Sequence, residues 1–246
     1  MRLDGKVAII TGGGSGFGKG MAERFAVEGA KVLVADLNAD AAGDVAKAIN
    51  GKAIKTDVAN AADVKAMFDT AISSFGKVDI LINNAGVTHL PAPMESVSAD
   101  DFDRVVAVNM KAIYLAAREI IPAMKKQGSG AILNIASTAG LSPRPNLNWY
   151  NASKGWVITA TKAMAVELAP AGIRVNALCP VAGETPLLKS FMGEDTPEMR
   201  AKFLATIPIG RFSTAEDMAN AALYLCSDEA SMITGVALEV DGGRCI

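Results

Sequence analysis

The chain has 246 residues, half of them hydrophobic and a fifth charged, with a net charge of −2. A composition this apolar can bury a sizeable core and excludes a disordered chain. The near-balanced charge, with no long run of like charges, gives no footprint for nucleic acid or an anionic membrane, which leaves small-molecule chemistry. In chain order, short runs rich in Val, Ile, Leu and Ala at 6–10, 31–35, 52–56, 78–82, 131–136, 174–178 and 237–240 alternate with longer amphipathic stretches. Continuous apolar runs of this kind predict strands buried on both faces, as in a parallel sheet covered by helices. Between the first two, Met21, Ala22, Phe25 and Ala26 fall at helical spacing, with Gly29 placed to end the helix. Residues 113–124 and 149–168 predict longer helices.

The alternation continues to the end without a linker. It predicts an α/β protein: a single Rossmann domain over 1–246, with a doubly wound parallel sheet of about seven strands and helices on both faces. Residues 182–208 depart from the pattern. They are apolar but aperiodic and contain Pro186 and Pro197, which predicts a long loop serving as a substrate lid. The first residues lack the apolar core and cleavage site of a signal peptide, and no apolar stretch reaches membrane-spanning length. Cys179, Cys226 and Cys245 are widely spaced and suit reduced thiols, so a cytoplasmic location is expected. His89 is the sole histidine, and no metal site is expected.

In open α/β sheets ligands bind beyond the carboxyl ends of the strands. After the first strand comes Thr11-Gly12-Gly13-Gly14-Ser15-Gly16-Phe17-Gly18, leading into a helix. Such a turn lets backbone amides approach a pyrophosphate at a helix N-terminus. Asp36, with Leu37 beside it, ends the second strand where a carboxylate can bond ribose hydroxyls and repel a 2′-phosphate, which favours NAD over NADP. Asp57 and Val58 follow the third strand, and Asn84, Ala85 and Gly86 the fourth; both groups can line an adenine and ribose channel. Ser137 follows the fifth strand, and Tyr150 and Lys154 then share one face of a helix. A nearby ammonium favours a phenolate, so Lys154 is expected to bring Tyr150 toward acid/base work near neutral pH, with the Ser137 hydroxyl on the substrate oxygen.

Together, Thr11-Gly12-x-x-x-Gly16-x-Gly18, Asp57, Asn83-Asn84-Ala85-Gly86, Asn109, Ser137, Tyr150 with Lys154, and Asp241-Gly242-Gly243 resemble the short-chain dehydrogenase/reductase family in order and spacing. The resemblance implies that Tyr150 is the acid/base and that Ser137 polarises the substrate. It also implies that Lys154 holds the nicotinamide ribose and tunes Tyr150, and that Asn109 holds a water in a proton relay. Thr185 would reach the nicotinamide carboxamide. A homotetramer built on helices at 111–126 and 149–168 is implied as well. One departure is Pro180-Val181-Ala182-Gly183 where the family has Pro-Gly, which restricts the backbone at Val181 and leaves flexibility to Gly183. Three functions compete: an NAD-linked dehydrogenase interconverting secondary alcohol and ketone, a 3-oxoacyl-acyl-carrier-protein reductase, and a non-catalytic nicotinamide sensor. Arg144, between Pro143 and Pro145, is read as an exposed loop residue in preference to a partner for a carboxylate or phosphate, and His89 as a surface loop residue in preference to a substrate contact.

Overall fold

The computed structural model describes residues 1–246. Its elements run β1 (Val7–Thr11), α1 (Gly16–Val27), β2 (Lys31–Asp36), α2 (Ala39–Ala48), β3 (Lys52–Lys55), α3 (Ala61–Phe75), β4 (Ile80–Asn83), α4 (Ala99–Val106), α5 (Ala112–Gln127), β5 (Gly130–Ile135), α6 (Asn148–Leu168), β6 (Ile173–Pro180), α7 (Leu188–Met192), α8 (Pro197–Leu204), α9 (Ala215–Cys226) and β7 (Ala237–Val240). All strand pairs are parallel, in the order β3-β2-β1-β4-β5-β6-β7. The order reverses between β1 and β4, and that switch point opens a crevice at the carboxyl edge.

The continuous apolar runs are explained by what lies on each face. Ala8 and Ile10 of β1 join a core with Met21, Phe25, Ala222 and Leu223, whereas Ile9 joins Met67, Leu115, Ile120 and Leu168 on the opposite face. The edge strand β3 departs from this expectation. Its lysines and Ala53 face solvent, which blunts an edge otherwise open to pairing.

The segment 182–208 is not the irregular loop that its aperiodic sequence predicts. It folds into α7 and α8, and Leu188 and Met192 pack with Val181, Ile207 and Phe212 in a small core of their own. Elements this short give a sequence too few turns to show a period. Thr196 caps α8 by accepting the Met199 N–H at 3.2 Å. No helix is long and apolar enough to cross a membrane.

Candidate active site

Segments that follow β1, β2, β3, β4, β5 and β6 line one cleft of about 470 Å³, a size ordinary for a small-molecule site. At one end lies the glycine turn. Gly12 and Gly16 hold φ of +60° and +52°, a left-handed backbone that side chains other than glycine's disfavour. The turn is sewn to the one after β4. Thr11 Oγ1 accepts the Asn84 and Ala85 N–H groups at 3.0 and 3.1 Å, and Asn84 Nδ2 donates to the Thr11 and Gly12 carbonyls at 2.8 and 3.1 Å. Asn84 thus lines the cleft while spending its amide donors on the turn. Gly18 lies behind the cleft wall: a Cβ there would overlap the Gly12 carbonyl and the Asn84 amide. That close approach sets how near α1 comes to the turn.

Ser15 precedes α1 without capping it, so amides at the start of this helix stay free of side-chain partners beside the cleft. Asp36 is fixed by the Gly14 and Asn38 N–H groups, each at 2.9 Å, with one carboxylate oxygen to each. Leu37, Asp57, Val58, Ala85 and Gly86 complete this end with Thr56, whose buried Oγ1 has no partner. In sequence Thr56 belongs to the run 52–56 that predicts a strand, and the structure ends that strand at Lys55. Glycines that a Cβ would block, uncapped helix amides, a carboxylate and an unpartnered hydroxyl form the donor and acceptor set that a dinucleotide needs.

At the centre, Ser137 leaves β5 into a tight turn, and Tyr150 and Lys154 stand one turn apart near the start of α6; all three are buried. Their meeting depends on Gly140. A Cβ there would come within 2.7–2.8 Å of the Lys154 carbonyl and the Gly155 nitrogen, so only glycine lets the Ser137 turn close onto α6. Lys154 Nζ donates to the Ile135 carbonyl at 2.8 Å and stands 5.8 Å from the Tyr150 ring centre.

The expected tuning of Tyr150 by this ammonium is not what dominates. Burial pushes the Tyr150 hydroxyl up to about 12, with Ser137 drawing it the other way, and burial lowers Lys154 to about 8. Phe191 of α7 contributes to that burial, packing edge-on against Tyr150 with ring centres 5.1 Å apart.

Asn109 sits in a π-helical turn (Ala107–Lys111) outside the main cleft. Its Oδ1 accepts the Val87 N–H at 2.9 Å, and its Nδ2 donates to the Val87 carbonyl at 2.9 Å and Ser153 Oγ at 3.0 Å. The side chain is therefore a clamp between the β4 turn and α6. Asn109 also borders, with Lys154, a second cavity of about 10 Å³.

Pro180, Gly183 and Thr185 reach the cleft from β6. Val181 keeps a negative φ, so a β-branched residue is accommodated where the family has glycine, and its side chain anchors the core beneath α7. Gly183 pairs with Ser213 in an isolated parallel bridge, and a Cβ on it would strike the Phe17 ring and Ser213 Oγ. Arg144 is not the exposed loop residue expected. It lines the cleft and lies 4.3 Å over the Phe203 ring. His89 is buried too, its Nδ1 against the Leu90 carbonyl at 2.8 Å, and it lies outside the cleft.

Residues 12–244 match the family model described as enoyl-(acyl carrier protein) reductase. The chain is 48% identical to 4-formylbenzenesulfonate dehydrogenase of Comamonas testosteroni, with all of both chains covered. It is 42% identical to the 7alpha-hydroxysteroid dehydrogenase of Escherichia coli, over 99% of this chain and 95% of that one. Among solved structures it matches a 3-ketoacyl-(acyl-carrier-protein) reductase from Brucella melitensis complexed with NADH. That match has 55% identity and a TM-score of 0.95, covering 99% of this chain and all of that one.

Proposed function

The chain belongs to the short-chain dehydrogenase/reductase family of oxidoreductases, and from that premise we propose that it is an NAD(H)-dependent enzyme interconverting a secondary alcohol and a ketone. The observation that carries this reading is the convergence of Ser137, Tyr150 and Lys154 in the cleft whose other end presents the glycine turn and Asp36.

In this reading the amides of Gly12, Ser15, Gly16 and Phe17 face the pyrophosphate, and Asp36 takes the adenosine ribose hydroxyls and repels a 2′-phosphate. Lys154 Nζ has donors beyond the one given to Ile135, and these hold the second ribose. Thr185 takes the carboxamide. A bound nicotinamide supplies or accepts the hydride. Tyr150, protonated through the neutral range, donates to the substrate oxygen during reduction, and Ser137 donates to the same oxygen as its charge grows. In oxidation Tyr150 takes the proton of the substrate hydroxyl as the hydride leaves, and passes it on toward Lys154 and the small cavity beside Asn109, which has room for one water at most. The NADH-bound Brucella structure supports the choice of cofactor.

Tyr150→Phe removes the proton donor and keeps the ring, so kcat should fall by about 10²-fold or more while NADH still binds. Retention of most activity overturns the assignment. Equal or better kcat/KM with NADPH overturns the cofactor choice, and Asp36→Ser should narrow the preference for NADH. A second reading, reduction of a 3-oxoacyl group on a carrier protein, is supported by the name of the Brucella structure. Acetoacetyl-acyl-carrier protein compared with free ketones, all with NADH, separates the two. Any turnover excludes a non-catalytic sensor.

A further inference from the structure

Four charged residues line the cleft, and Asp36, Asp57 and Lys154 belong to its cofactor end and centre. The fourth, Arg144, is stacked on Phe203 and donates from Nη2 to Thr206 Oγ1 at 3.0 Å. It forms no ion pair. The charge of a second cation, Arg244, acts on it. Arg244 donates to Ser142 Oγ at 3.1 Å, has a buried Nε without a partner, and itself forms no ion pair. Burial and the Arg244 charge both hold the Arg144 guanidinium below its usual range. Two like charges brought together, one partly desolvated and neither compensated, raise the energy of the folded chain until an anion joins them.

The placement is also specific. Asn151 Nδ2 donates to the Arg144 carbonyl at 2.7 Å, tying the arginine's backbone to the helical residue next to Tyr150. Leu147, Phe191 and Phe203 supply apolar wall around Arg144 and the Tyr150 hydroxyl. Stacking on Phe203 occupies the face of the guanidinium, and the donors that remain lie along its edge, the geometry that takes an oxyanion in bidentate fashion.

We propose that Arg144, reinforced by Arg244, selects substrates bearing a carboxylate or sulfonate on a short aromatic or aliphatic stem, with the reacting carbonyl or alcohol at Ser137 and Tyr150. The proposal rests on the oxidoreductase reading above. Its test compares 4-acetylbenzoate and 4-acetylbenzenesulfonate with the neutral 4-methylacetophenone, using NADH. In the wild type, kcat/KM for at least one anion should exceed that for the neutral ketone by about tenfold or more. The arm with the higher value identifies the oxyanion. Arg144→Met should bring the ratio close to one, Arg144→Lys should keep part of it, and Arg244→Met should lower it less than Arg144→Met does.

Calorimetric binding of the same anions to the NADH complex gives a readout independent of turnover. If no ketone is reduced but Arg144→Met weakens anion binding by about tenfold, the anion site stands and the oxidoreductase reading falls. The inference is overturned if the wild type shows no preference for either anion. It is equally overturned if Arg144→Met lowers turnover of anionic and neutral ketones alike, which would make Arg144 a structural prop for α8.

Discussion

Lys154 and Tyr150 are buried in opposite senses for their charge, and stability should depend on pH accordingly. Lys154 titrates near 8 in the folded chain against 10.5 ordinarily, so between those values the unfolded chain binds more protons and stability rises with pH. Below 8 both states hold the proton and the full cost of burying the ammonium is felt. Tyr150, at about 12 against 10.0, acts oppositely, lowering stability as pH rises between those two values. Urea denaturation at pH 7 and pH 10 should therefore show wild type gaining on Lys154→Met at the higher pH; a constant difference contradicts it. Under the proposed reaction, the same Tyr150 burial should make alcohol oxidation rise with pH into the alkaline range, with ketone reduction level near neutrality. Phe191→Ala, which admits water to the phenol, should move the oxidation profile toward lower pH. An unmoved profile would mean that Phe191 has no part in setting Tyr150.

Among elements, α7 and α8 form a unit fastened to the end of β6 by Val181 and to the segment before α9 by Phe212. Thr185 lies close to the glycine turn, where a Cβ added on Gly16 would come within 3.2 Å of it, so a cofactor held by that turn lies near the segment leading into this unit. The segment 182–208, proposed as the substrate lid, should show slower amide exchange when NADH is added, with Thr185→Val weakening that protection. Exchange already slow without NADH and unchanged by it would make the unit fixed structure. Gly183→Ala drives a methyl into the Phe17 ring and should cost about 1–3 kcal/mol, read as a lowered Tm. Deeper in the fold, Asn83 Nδ2 donates to Asn134 Oδ1 at 2.8 Å and Asn134 Nδ2 to Thr161 Oγ1 at 2.9 Å, joining β4, β5 and α6. Asn134→Leu strands both partners and should cost about 1–3 kcal/mol in urea unfolding.

For the whole molecule, the helices expected to pair between subunits do carry exposed apolar side chains. Tyr114 on α5 is 53% exposed, and Trp156 and Val166 on α6 are 37% and 80% exposed. We propose a homotetramer that covers these faces, and light scattering should give about four times the 25.4 kDa of one chain. Val166→Arg should then shift the mass toward smaller assemblies; a monomeric wild type ends this proposal.

The sequence by itself determined the central strands of the sheet, because apolar runs buried on two faces have a signature that neighbours cannot disguise; the edge strand β3 instead lies exposed. It also marked Asp36, Ser137, Tyr150 and Lys154, whose positions at strand ends and one helical turn apart follow from local geometry. Tertiary structure alone decided what each environment does to those groups. The Lys154 ammonium turns to the Ile135 carbonyl, and burial rather than that charge governs Tyr150. Gly140 is an unremarkable turn glycine in sequence and becomes the close approach that joins Ser137 to α6. Arg144, between two prolines, reads as solvated until Phe203 and Arg244, far along the chain, are folded beside it. Desolvation and charge pairing depend on distances between residues remote in sequence, and no local pattern encodes them.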